Sequence, residues 1–478
     1  MIDKVYELFR KLNSIPRPSH HEEKVADFLC QYAESLGLEY DRDKENCVVI
    51  RKPATPGHED AEPIVLLNHM DMVAVGSGAR PFDPLNDGIE AYVEEGWMKA
   101  HGTSLGADNG IGLSMALAVL ADDSIVHGPL EVLTTTNEED GMTGAAAMAT
   151  DFIKGRKVIN LDSEDYDTIT VGAAGAYLQV GKWKPELEDV PDNYIFRKIV
   201  MDGGQGGHSG VDINKGRCNC IKELAELLSG DFVSELMNNV YICRMDGGTA
   251  NASIASRAEI HIAIKPTFEA KLISYVEEWS NDVRHKYAET DVAVNVRVEE
   301  CDHYSQYIRN APVILRCIFN LPFGVIAMRE DIPGIVMTSN NIGVLKTTSH
   351  EITLSCHTRS FSNDEMHYLA ERINMTMLDR KATDVEIIMN TSGWQENQHS
   401  DYLKLVDQTF VDVLGFSPKK VAMHFVLEAG YYVQKFPGIE IACIGPRIIE
   451  PHSTMERVEL STVNNIYKVL IELLRRMT

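Results

Sequence analysis

The sequence predicts an α/β fold in which a domain with a mostly parallel central sheet is interrupted by an inserted α+β domain. Three observations lead to this prediction. The chain has 478 residues, which is too long for one ordinary hydrophobic core. Short β-rich runs alternate with helical patterns at the beginning and end of the chain, as in parallel sheets covered by helices. Between these parts the strand patterns are longer and alternate strictly between apolar and polar residues.

The first predicted element with a clear start and stop is an amphipathic helix. Ser19 and Glu22 have the spacing of a capping box, apolar residues then recur at helical spacing from Val25 to Leu36, and Gly37 follows as a stop. The next predicted elements alternate between strand and helix: CVVI (47–50), IVLL (64–67), a helix over 108–120, LEVLTTT (130–136) and VINL (158–161).

The predicted inserted domain covers residues 181–392. Its strict alternation is clearest at Ala258, Ile260, Ile262 and Ile264. The order strand, strand, helix, strand is predicted over 251–298 and again over 341–389, which indicates an internal repeat. The strand IEIACI (439–444) and an amphipathic C-terminal helix then return to the first pattern. We therefore expect residues 1–180 and 393–478 to form one domain.

Composition and charge exclude several classes of partner. With 44% hydrophobic and 24% charged residues the chain resembles a globular protein, and it has no apolar run long enough for a membrane span. A formal net charge of -26 disfavours binding to nucleic acid or to an anionic membrane, because both require a basic surface. The amphipathic N-terminus lacks the pattern of an export signal. We expect a cytoplasmic protein that binds neither nucleic acid nor membranes.

The nine cysteines are scattered, which fits reduced thiols. Cys218 and Cys220 are the closest pair and would suit a metal or redox site. Their setting beside Ile221 and Leu224 in a helical pattern favours ordinary packing instead.

Histidines and carboxylates follow successive predicted strands or begin the helices after them. The candidates are His69 and Asp71 in NHMDMV, Asp108 in LGADNGIG, Glu138 and Glu139 in TTNEEDG, and Asp162 in NLDSED. Each motif alone has a simpler explanation, such as a hydrogen-bonded pair, a helix N-cap, a solvated acidic pair or a loop aspartate. Gathered at one sheet edge, however, these carboxylates need cations, and a mixture of imidazole and carboxylate suits zinc, with manganese or cobalt as alternatives. His452, after the last strand, could supply a second imidazole.

These motifs strongly resemble those of the co-catalytic zinc peptidases, which include aminoacylases, glutamate carboxypeptidases and bacterial aminoacyl-histidine dipeptidases. The resemblance covers essentially the whole chain and is strongest to the aminoacyl-histidine dipeptidase branch. The motifs that carry it are, in order, IPRPSHHEE, NHMDMV, LGADNGIG, TTNEEDGMTGA, NLDSED, GGHSGVDI and SGWQENQHS. The resemblance implies a zinc-peptidase catalytic domain, residues 1–180 and 393–478, interrupted by a lid or dimerisation domain.

The resemblance also implies a role for each candidate in the catalytic domain. Asp108 would bridge two divalent metal ions, for which zinc is expected. His69 and Asp162 would complete one metal site, and Glu139 and His452 the other. Asp71 would orient His69, because metal-bound imidazoles usually donate their other N–H to a carboxylate or carbonyl. Glu138 would be the general base that takes a proton from the water held between the metals.

In the inserted domain the resemblance implies residues that act on the substrate. His208, which without the resemblance would be read as a solvated loop histidine, would stabilise the oxyanion of the reaction. Asn251 and Arg359 would hold the substrate, and an arginine suits a bidentate grip on a terminal carboxylate. The segment HFVLEAG (424–430) contains less glycine than the corresponding motif of the branch. The resemblance therefore leaves open whether histidine is preferred at the second position of the dipeptide. Glu428 matches the branch and would either bind the free α-amino group or form a structural salt bridge.

We therefore expect metal-dependent hydrolysis of dipeptides, either of Xaa-His dipeptides or with broad specificity. An N-acyl amino acid deacylase or a tripeptide aminopeptidase on the same scaffold is the alternative. A non-catalytic metal- or peptide-binding protein is a remote alternative, because such a protein has no need of a base at Glu138. The expected partner is a small peptide substrate, and the family relation allows a homodimer through the inserted domain.

Overall fold

The chain forms two compact units. The computed structural model describes residues 2–78, 81–229, 239–330, 334–395 and 400–478. Among these, residues 2–172, 400–422 and 428–478 form the first unit, and residues 173–395 and 423–427 form the second. The short segment 423–427, which lies in the range expected for the first domain, therefore belongs to the second unit. Residues 396–399 of the motif SGWQENQHS lie outside the described residues.

One large sheet organises the first unit. Its described strands have the spatial order Glu39–Arg42, Val48–Lys52, Leu130–Thr135, Ile64–His69, Lys157–Asn160, Glu440–Cys443, Thr168–Ala173 and Lys419–Met423. The central pairings, from Leu130–Thr135 to Glu440–Cys443, are parallel, whereas the pairings next to them on each side are antiparallel. The sheet is therefore mixed, with the parallel centre that alternating strands and helices predict. Strands from both ends of the chain contribute to it.

Two of the central strands are buried along their whole length. Ile64–His69 and Leu130–Thr135 are buried at every position, because helices cover both faces of a parallel sheet. The described helices of this unit are Ile2–Asn13, Glu23–Leu36, Ala107–Leu120, Thr143–Ala147, Asp401–Leu414, Ala429–Lys435 and Leu460–Arg476. A smaller sheet has the strand order Ile448–Ile449, Arg457–Glu459, Trp97–Ala100 and Ala91–Glu94.

The C-terminal helix is amphipathic as predicted. Residues that the pattern turns inward are buried in Leu460–Arg476: Val463, Ile466, Tyr467, Leu470 and Leu474. The predicted stop at Gly37 is also confirmed, since Gly37 caps the helix Glu23–Leu36 in the left-handed conformation with φ 67°.

The predicted capping box at the start of Glu23–Leu36 is wrong. The N-terminus of this helix has no side-chain cap. The Ser19 hydroxyl instead donates to Asp71 Oδ2 (2.8 Å), and the Glu22 carboxylate accepts from the N–H of Asn137 (2.9 Å). Both side chains therefore make tertiary contacts with segments that follow strands of the large sheet.

The second unit is built on an antiparallel sheet. Its described strands have the order Asn295–Glu300, Ile195–Asp202, Ala258–Ile264, Val240–Gly247, Val336–Thr347, Ile352–Ser360, Gly175–Trp183 and Asp384–Thr391, with Gly324–Met328 also pairing with Val336–Thr347. A separate ribbon joins Leu187–Asp189 to Gln306–Ile308. The described helices are Cys220–Leu227, Pro266–Lys286, Ala311–Asn320 and Asn363–Asp379, with a 3-10 turn at Ile213–Lys215.

The order strand, strand, helix, strand occurs twice in this unit. It runs from Val240 to Glu300 and again from Val336 to Thr391, so the first copy begins earlier than residue 251, where the sequence pattern starts it. The alternating residues of Ala258–Ile264 pack into the hydrophobic core of the unit together with Cys218 and Cys220. Burial of both thiols fits the packing interpretation of this pair. Within the described residues, every helix is too short or too polar to span a bilayer.

Candidate metal centre

The candidate ligands of the first unit lie at the carboxyl ends of the parallel strands or at the helix after them. His69 ends the strand Ile64–His69, and Asp162 follows Lys157–Asn160 by two residues. Glu138 and Glu139 follow Leu130–Thr135. The carboxyl ends of parallel strands meet at one edge of a sheet, so these side chains come together although they are distant in sequence.

Asp108 is not the N-cap of its helix. The cap position of Ala107–Leu120 is Gly106, with φ 68°, and Asp108 has non-helical angles, φ -79° and ψ 111°. Asp108 therefore departs from the regular helical conformation in the first turn. Asp108 is thus free to contact residues from other segments.

The carboxylate of Asp108 lies between two histidines. Asp108 Oδ1 is 3.1 Å from His69 Nε2, which is also 3.3 Å from Asp162 Oδ1. Asp108 Oδ2 is 3.2 Å from His452 Nε2, which is also 2.8 Å from Glu139 Oε2. Two groups of three residues therefore share Asp108, and within each group the ligand atoms lie within 4.8 Å of one another.

The carboxylates of this cluster repel one another in a buried environment. Burial raises the pKa of Glu138 well above its usual value, and the charges of Asp162, Glu428 and Glu139 add to this effect. Burial likewise raises the pKa of Glu139 and of Asp162. Among the described residues, Glu139 Oε1 has no hydrogen-bond partner. Buried carboxylates in excess, with one oxygen free, fit residues that hold cations.

The two imidazoles are surrounded by negative charge. Burial opposes protonation of His69, but Asp162 and Asp108 raise its pKa well above the usual value. Hydrogen bonds with Asp108 and Glu139 raise the pKa of His452 to about 11. This is the electrostatic environment that a divalent cation also requires. Imidazole nitrogen with carboxylate oxygen is the donor set of divalent transition-metal sites, so the residues fit two such ions.

Asp71 connects two of the strand ends. It is fully buried, and its Oδ1 lies 3.4 Å from His69 Nδ1. Its carboxylate also accepts the backbone N–H groups of Glu138 (3.1 Å) and Glu139 (3.2 Å). Asp71 therefore contacts the ring of one candidate ligand and the main chain of the candidate base.

Sequence reasoning missed two buried residues beside Asp108. Glu456 (3% exposed) accepts backbone N–H groups of the segment 105–108, and Arg17 (1% exposed) donates to the carbonyls of Met70, Asp71 and Gly106. Arg17 lies in the motif IPRPSHHEE, and Glu456 follows His452 by four residues. Their position inside or beside a motif was the one signal that they belong to the site. Their main-chain partners cannot be predicted from residue types.

Glu428 also lies in the first unit, and its side chain is 4% exposed. Burial raises its pKa to about 8, and the charges of Asp162 and Asp71 act in the same direction. In the part of the chain that the structure describes, no lysine or arginine pairs with it, so the structural salt bridge considered from the sequence is not formed there.

The predicted substrate-binding residues of the inserted domain lie together in the second unit. His208 pairs in a β-bridge with Ser253, which follows Asn251 by two residues. Burial and the charge of Arg359 lower the pKa of His208. His208 Nδ1 accepts the backbone N–H groups of Gly210 (3.3 Å) and Val211 (3.2 Å). An imidazole that accepts at Nδ1 carries its proton at Nε2 when neutral. His208 is therefore a neutral ring with an Nε2–H to donate.

Arg359 is a buried cation in this cluster. It lies in the strand Ile352–Ser360, is 3% exposed, and contacts Ser209 Oγ at 3.4 Å. Burial lowers its pKa to about 10, and within the described residues no carboxylate forms an ion pair with it. A buried guanidinium without a negative partner is costly, which is the condition expected of an anion-binding group.

Two further histidines of the cluster were not predicted from the sequence. Burial and Arg359 lower the pKa of His424 to about 3 and that of His357 well below its usual value. His424 Nε2 is 2.8 Å from Ser339 Oγ. The imidazoles are therefore neutral, and Arg359 provides the positive charge of the cluster.

Comparisons with known proteins find relatives among the peptidases. The family model described as Peptidase family M20/M25/M40 matches residues 65–476. The chain is 33% identical to the cytosol non-specific dipeptidase of Escherichia coli (strain K12), over 99% of this chain and 97% of that protein. Its structure is similar to that of an aminoacylhistidine dipeptidase from Vibrio alginolyticus, with TM-score 0.89, 30% identity, and coverage of 99% of this chain and 96% of the other. The aminopeptidase PepT of Bacillus cereus shares the fold, with TM-score 0.56, 16% identity, and coverage of 100% and 99%.

Proposed function

Because this chain belongs to peptidase family M20/M25/M40, we propose that it is a two-metal dipeptidase that acts on Xaa-His dipeptides or on dipeptides broadly. The observation that carries this proposal is the position of Asp108 between the His69–Asp162 pair and the His452–Glu139 pair. Relatives that share 33% and 30% identity over nearly the whole chain bear the names of dipeptidases, which supports dipeptides as the substrate.

The two groups of ligands define the proposed metal sites. His69 and Asp162 would hold one divalent ion, Glu139 and His452 the second, and Asp108 would contact both. We propose zinc, because nitrogen and oxygen donors of this kind suit it, and manganese or cobalt would also bind. Such ions supply Lewis acidity toward a carbonyl oxygen and make water a stronger acid.

Glu138 is the proposed general base. It would take a proton from the attacking water and return it to the leaving amine. Burial and the charges of Asp162, Glu428 and Glu139 raise its pKa. Asp71 would fix the ring of His69, since its Oδ1 lies 3.4 Å from His69 Nδ1.

The cluster of the second unit is proposed to bind the substrate. The neutral His208, with its proton at Nε2, would donate to the oxyanion that develops on the scissile carbonyl. Arg359 would bind the C-terminal carboxylate, because it is a buried cation without a carboxylate partner in the described chain. Asn251 would hydrogen-bond the substrate main chain. Glu428, in the first unit, would accept hydrogen bonds from the free α-amino group of the substrate.

We also propose a cytoplasmic location and a homodimer formed through the second unit. The strand Asp384–Thr391 lies at one end of the sheet order and exposes Ile387 (49%) and Ile388 (53%). An edge strand with exposed apolar side chains favours association. Sedimentation of wild type and Ile388→Lys tests the dimer, and fractionation of cells tests the location.

A substrate panel tests the proposed activity. The purified chain, treated with chelator and then reloaded with zinc, manganese or cobalt, is assayed on Xaa-His dipeptides, other dipeptides, tripeptides and N-acyl amino acids. We expect the metal-loaded chain to prefer dipeptides and the chelated chain to be inactive. A preference for tripeptides or N-acyl amino acids would favour the alternative enzymes of the same scaffold, and metal binding without turnover would favour a binding protein.

A further inference from the structure

We propose that Arg17 and Glu456 are positioning residues that hold the main chain around Asp108 and thereby set the metal affinity of the centre. The inference rests on the proposed function of this site as a metal centre. Neither residue is among the candidate ligands, and both are buried, at 1% and 3% exposure.

Glu456 fixes the backbone conformation of the segment that carries Asp108. Its two carboxylate oxygens accept four consecutive backbone N–H groups: Leu105 (2.7 Å), Gly106 (2.9 Å), Ala107 (2.7 Å) and Asp108 (3.3 Å). These groups precede or begin a helix and have no partner in the helical ladder, so a buried carboxylate satisfies them. Because Glu456 follows His452 by four residues, one segment carries both a candidate ligand and the group that holds the Asp108 loop.

Arg17 joins the same loop to the strand that ends at His69. Its Nη1 donates to the carbonyls of Met70 (3.0 Å) and Asp71 (3.0 Å), and its Nη2 donates to the carbonyl of Gly106 (2.7 Å). A guanidinium can serve three carbonyls because its donors are fixed in one plane, whereas the ammonium of lysine cannot reproduce this fork.

Gly106 is held from both sides. Its N–H donates to Glu456, and its carbonyl accepts from Arg17. Its φ of 68° favours glycine, and a Cβ at this position would lie 2.6 Å from Arg17 Nη2. The two charged side chains therefore bind both backbone groups of Gly106, two residues before the carboxylate that both metal groups share.

The contacts converge on segments that carry ligands of both groups, which is why the expected effect is on metal binding. Arg17 binds the two carbonyls that follow His69, Glu456 lies four residues after His452 in sequence, and both bind the loop of Asp108. Replacing groups that orient metal ligands typically weakens metal affinity by about 10- to 100-fold.

The chain offers a matched control. Glu131, also 3% exposed, accepts the backbone N–H groups of Lys154 and Gly155, each at 2.8 Å, and it belongs to neither metal group. Glu131 Oε1 also lies 3.4 Å from Arg51 Nε. Glu131→Gln therefore weakens the contacts of a buried carboxylate with main-chain N–H groups in the same unit, at 154–155 instead of 105–108.

The experiment measures the affinity of the chelator-treated full chain for Zn²⁺ by competition with a chromophoric chelator. Glu456→Gln and Arg17→Lys are expected to bind Zn²⁺ about 10- to 100-fold more weakly than wild type. Glu131→Gln is expected to retain wild-type affinity, and the metal-free melting temperatures of all variants are recorded in parallel. Glu456→Asp, which keeps the charge but has a shorter reach, is expected to show an intermediate loss.

Two results would overturn the inference: wild-type Zn²⁺ affinity in Glu456→Gln, or an equal loss of affinity in Glu131→Gln. If Arg17→Lys does not fold, the two Glu456 variants decide the question. A wild-type chain that binds no Zn²⁺ would instead refute the proposed metal centre. A wild type that binds Zn²⁺ and hydrolyses dipeptides, with unchanged affinity in the variants, would refute this inference alone.

Discussion

Replacing Arg359 should lower activity and raise stability at the same time. Burial lowers its pKa from 12.5 to about 10. This shift corresponds to a free-energy cost of about 3 kcal/mol for keeping the unpaired charge in the folded protein. Arg359→Met removes this charge, so the free energy of unfolding of the free protein should increase, by up to about 3 kcal/mol. In the substrate complex the same change removes the partner of the terminal carboxylate. We expect kcat/KM for dipeptides to fall by about 30- to 5,000-fold. This corresponds to a loss of about 2 to 5 kcal/mol of transition-state stabilisation.

The assay compares each dipeptide with its C-terminal amide. Wild type should discriminate against the amide, because the amide carries no charge for Arg359 to bind. Arg359→Met should lose this discrimination and lose little further activity on the amide. Arg197→Met is the control: Arg197 Nε pairs with Glu269 Oε1 at 2.6 Å in the same unit, and removing a partly exposed pair should change stability by about 1 kcal/mol or less and leave kcat/KM unchanged.

Equal hydrolysis of a dipeptide and its amide by wild type would refute this reasoning. So would an Arg359→Met variant that is less stable than wild type and equally active. In either case Arg359 does not recognise the carboxylate, and the deacylase or aminopeptidase alternatives would gain support.

The remaining predictions concern the catalytic groups. Glu138→Gln should lower kcat by about 100- to 10,000-fold while metal content stays at the wild-type level, and a near-native rate would show that Glu138 is not the base. His208→Ala should lower kcat by about 100- to 1,000-fold, again without loss of metal, because it removes a donor to the oxyanion. An unchanged rate in His208→Ala would assign that donor to another group.

The sequence allows the location of the candidate ligands to be predicted, because parallel strands align their ends. Hydrophobic runs mark where the strands end, and His69, Glu138, Glu139 and Asp162 follow these points closely. Asp108 could be placed near them because it begins a helix between two such strands. The structure brings His69, Asp162 and Glu139 into two groups that share Asp108, and Glu138 is a member of neither group.

The supporting contacts could not be predicted in the same way. Ser19 and Glu22 have the local spacing of a helix cap, but their partners are Asp71 and Asn137, which are distant in sequence. Local patterns contain no information about such tertiary competition for a polar side chain. Glu456 binds main-chain N–H groups, which every sequence offers equally, so only the fold shows which of them it meets.

The limits of the second unit were also hidden from local patterns. His357 and His424 join the cluster around Arg359 because strand pairing and the return of residues 423–427 bring distant segments together. His424 begins the segment HFVLEAG and His357 lies two residues before Arg359, but neither histidine was predicted to join the cluster. The first copy of the repeated strand and helix order starts at Val240, before the alternating pattern becomes regular.

The proposed metal centre requires that two metal ions share Asp108. Anomalous diffraction from crystals of the zinc-loaded chain tests it most directly. We expect two zinc peaks about 3.5 Å apart, with Asp108 between them, one peak beside His69 and Asp162 and the other beside His452 and Glu139. A single peak in fully loaded crystals, or two peaks that Asp108 does not contact, would contradict it.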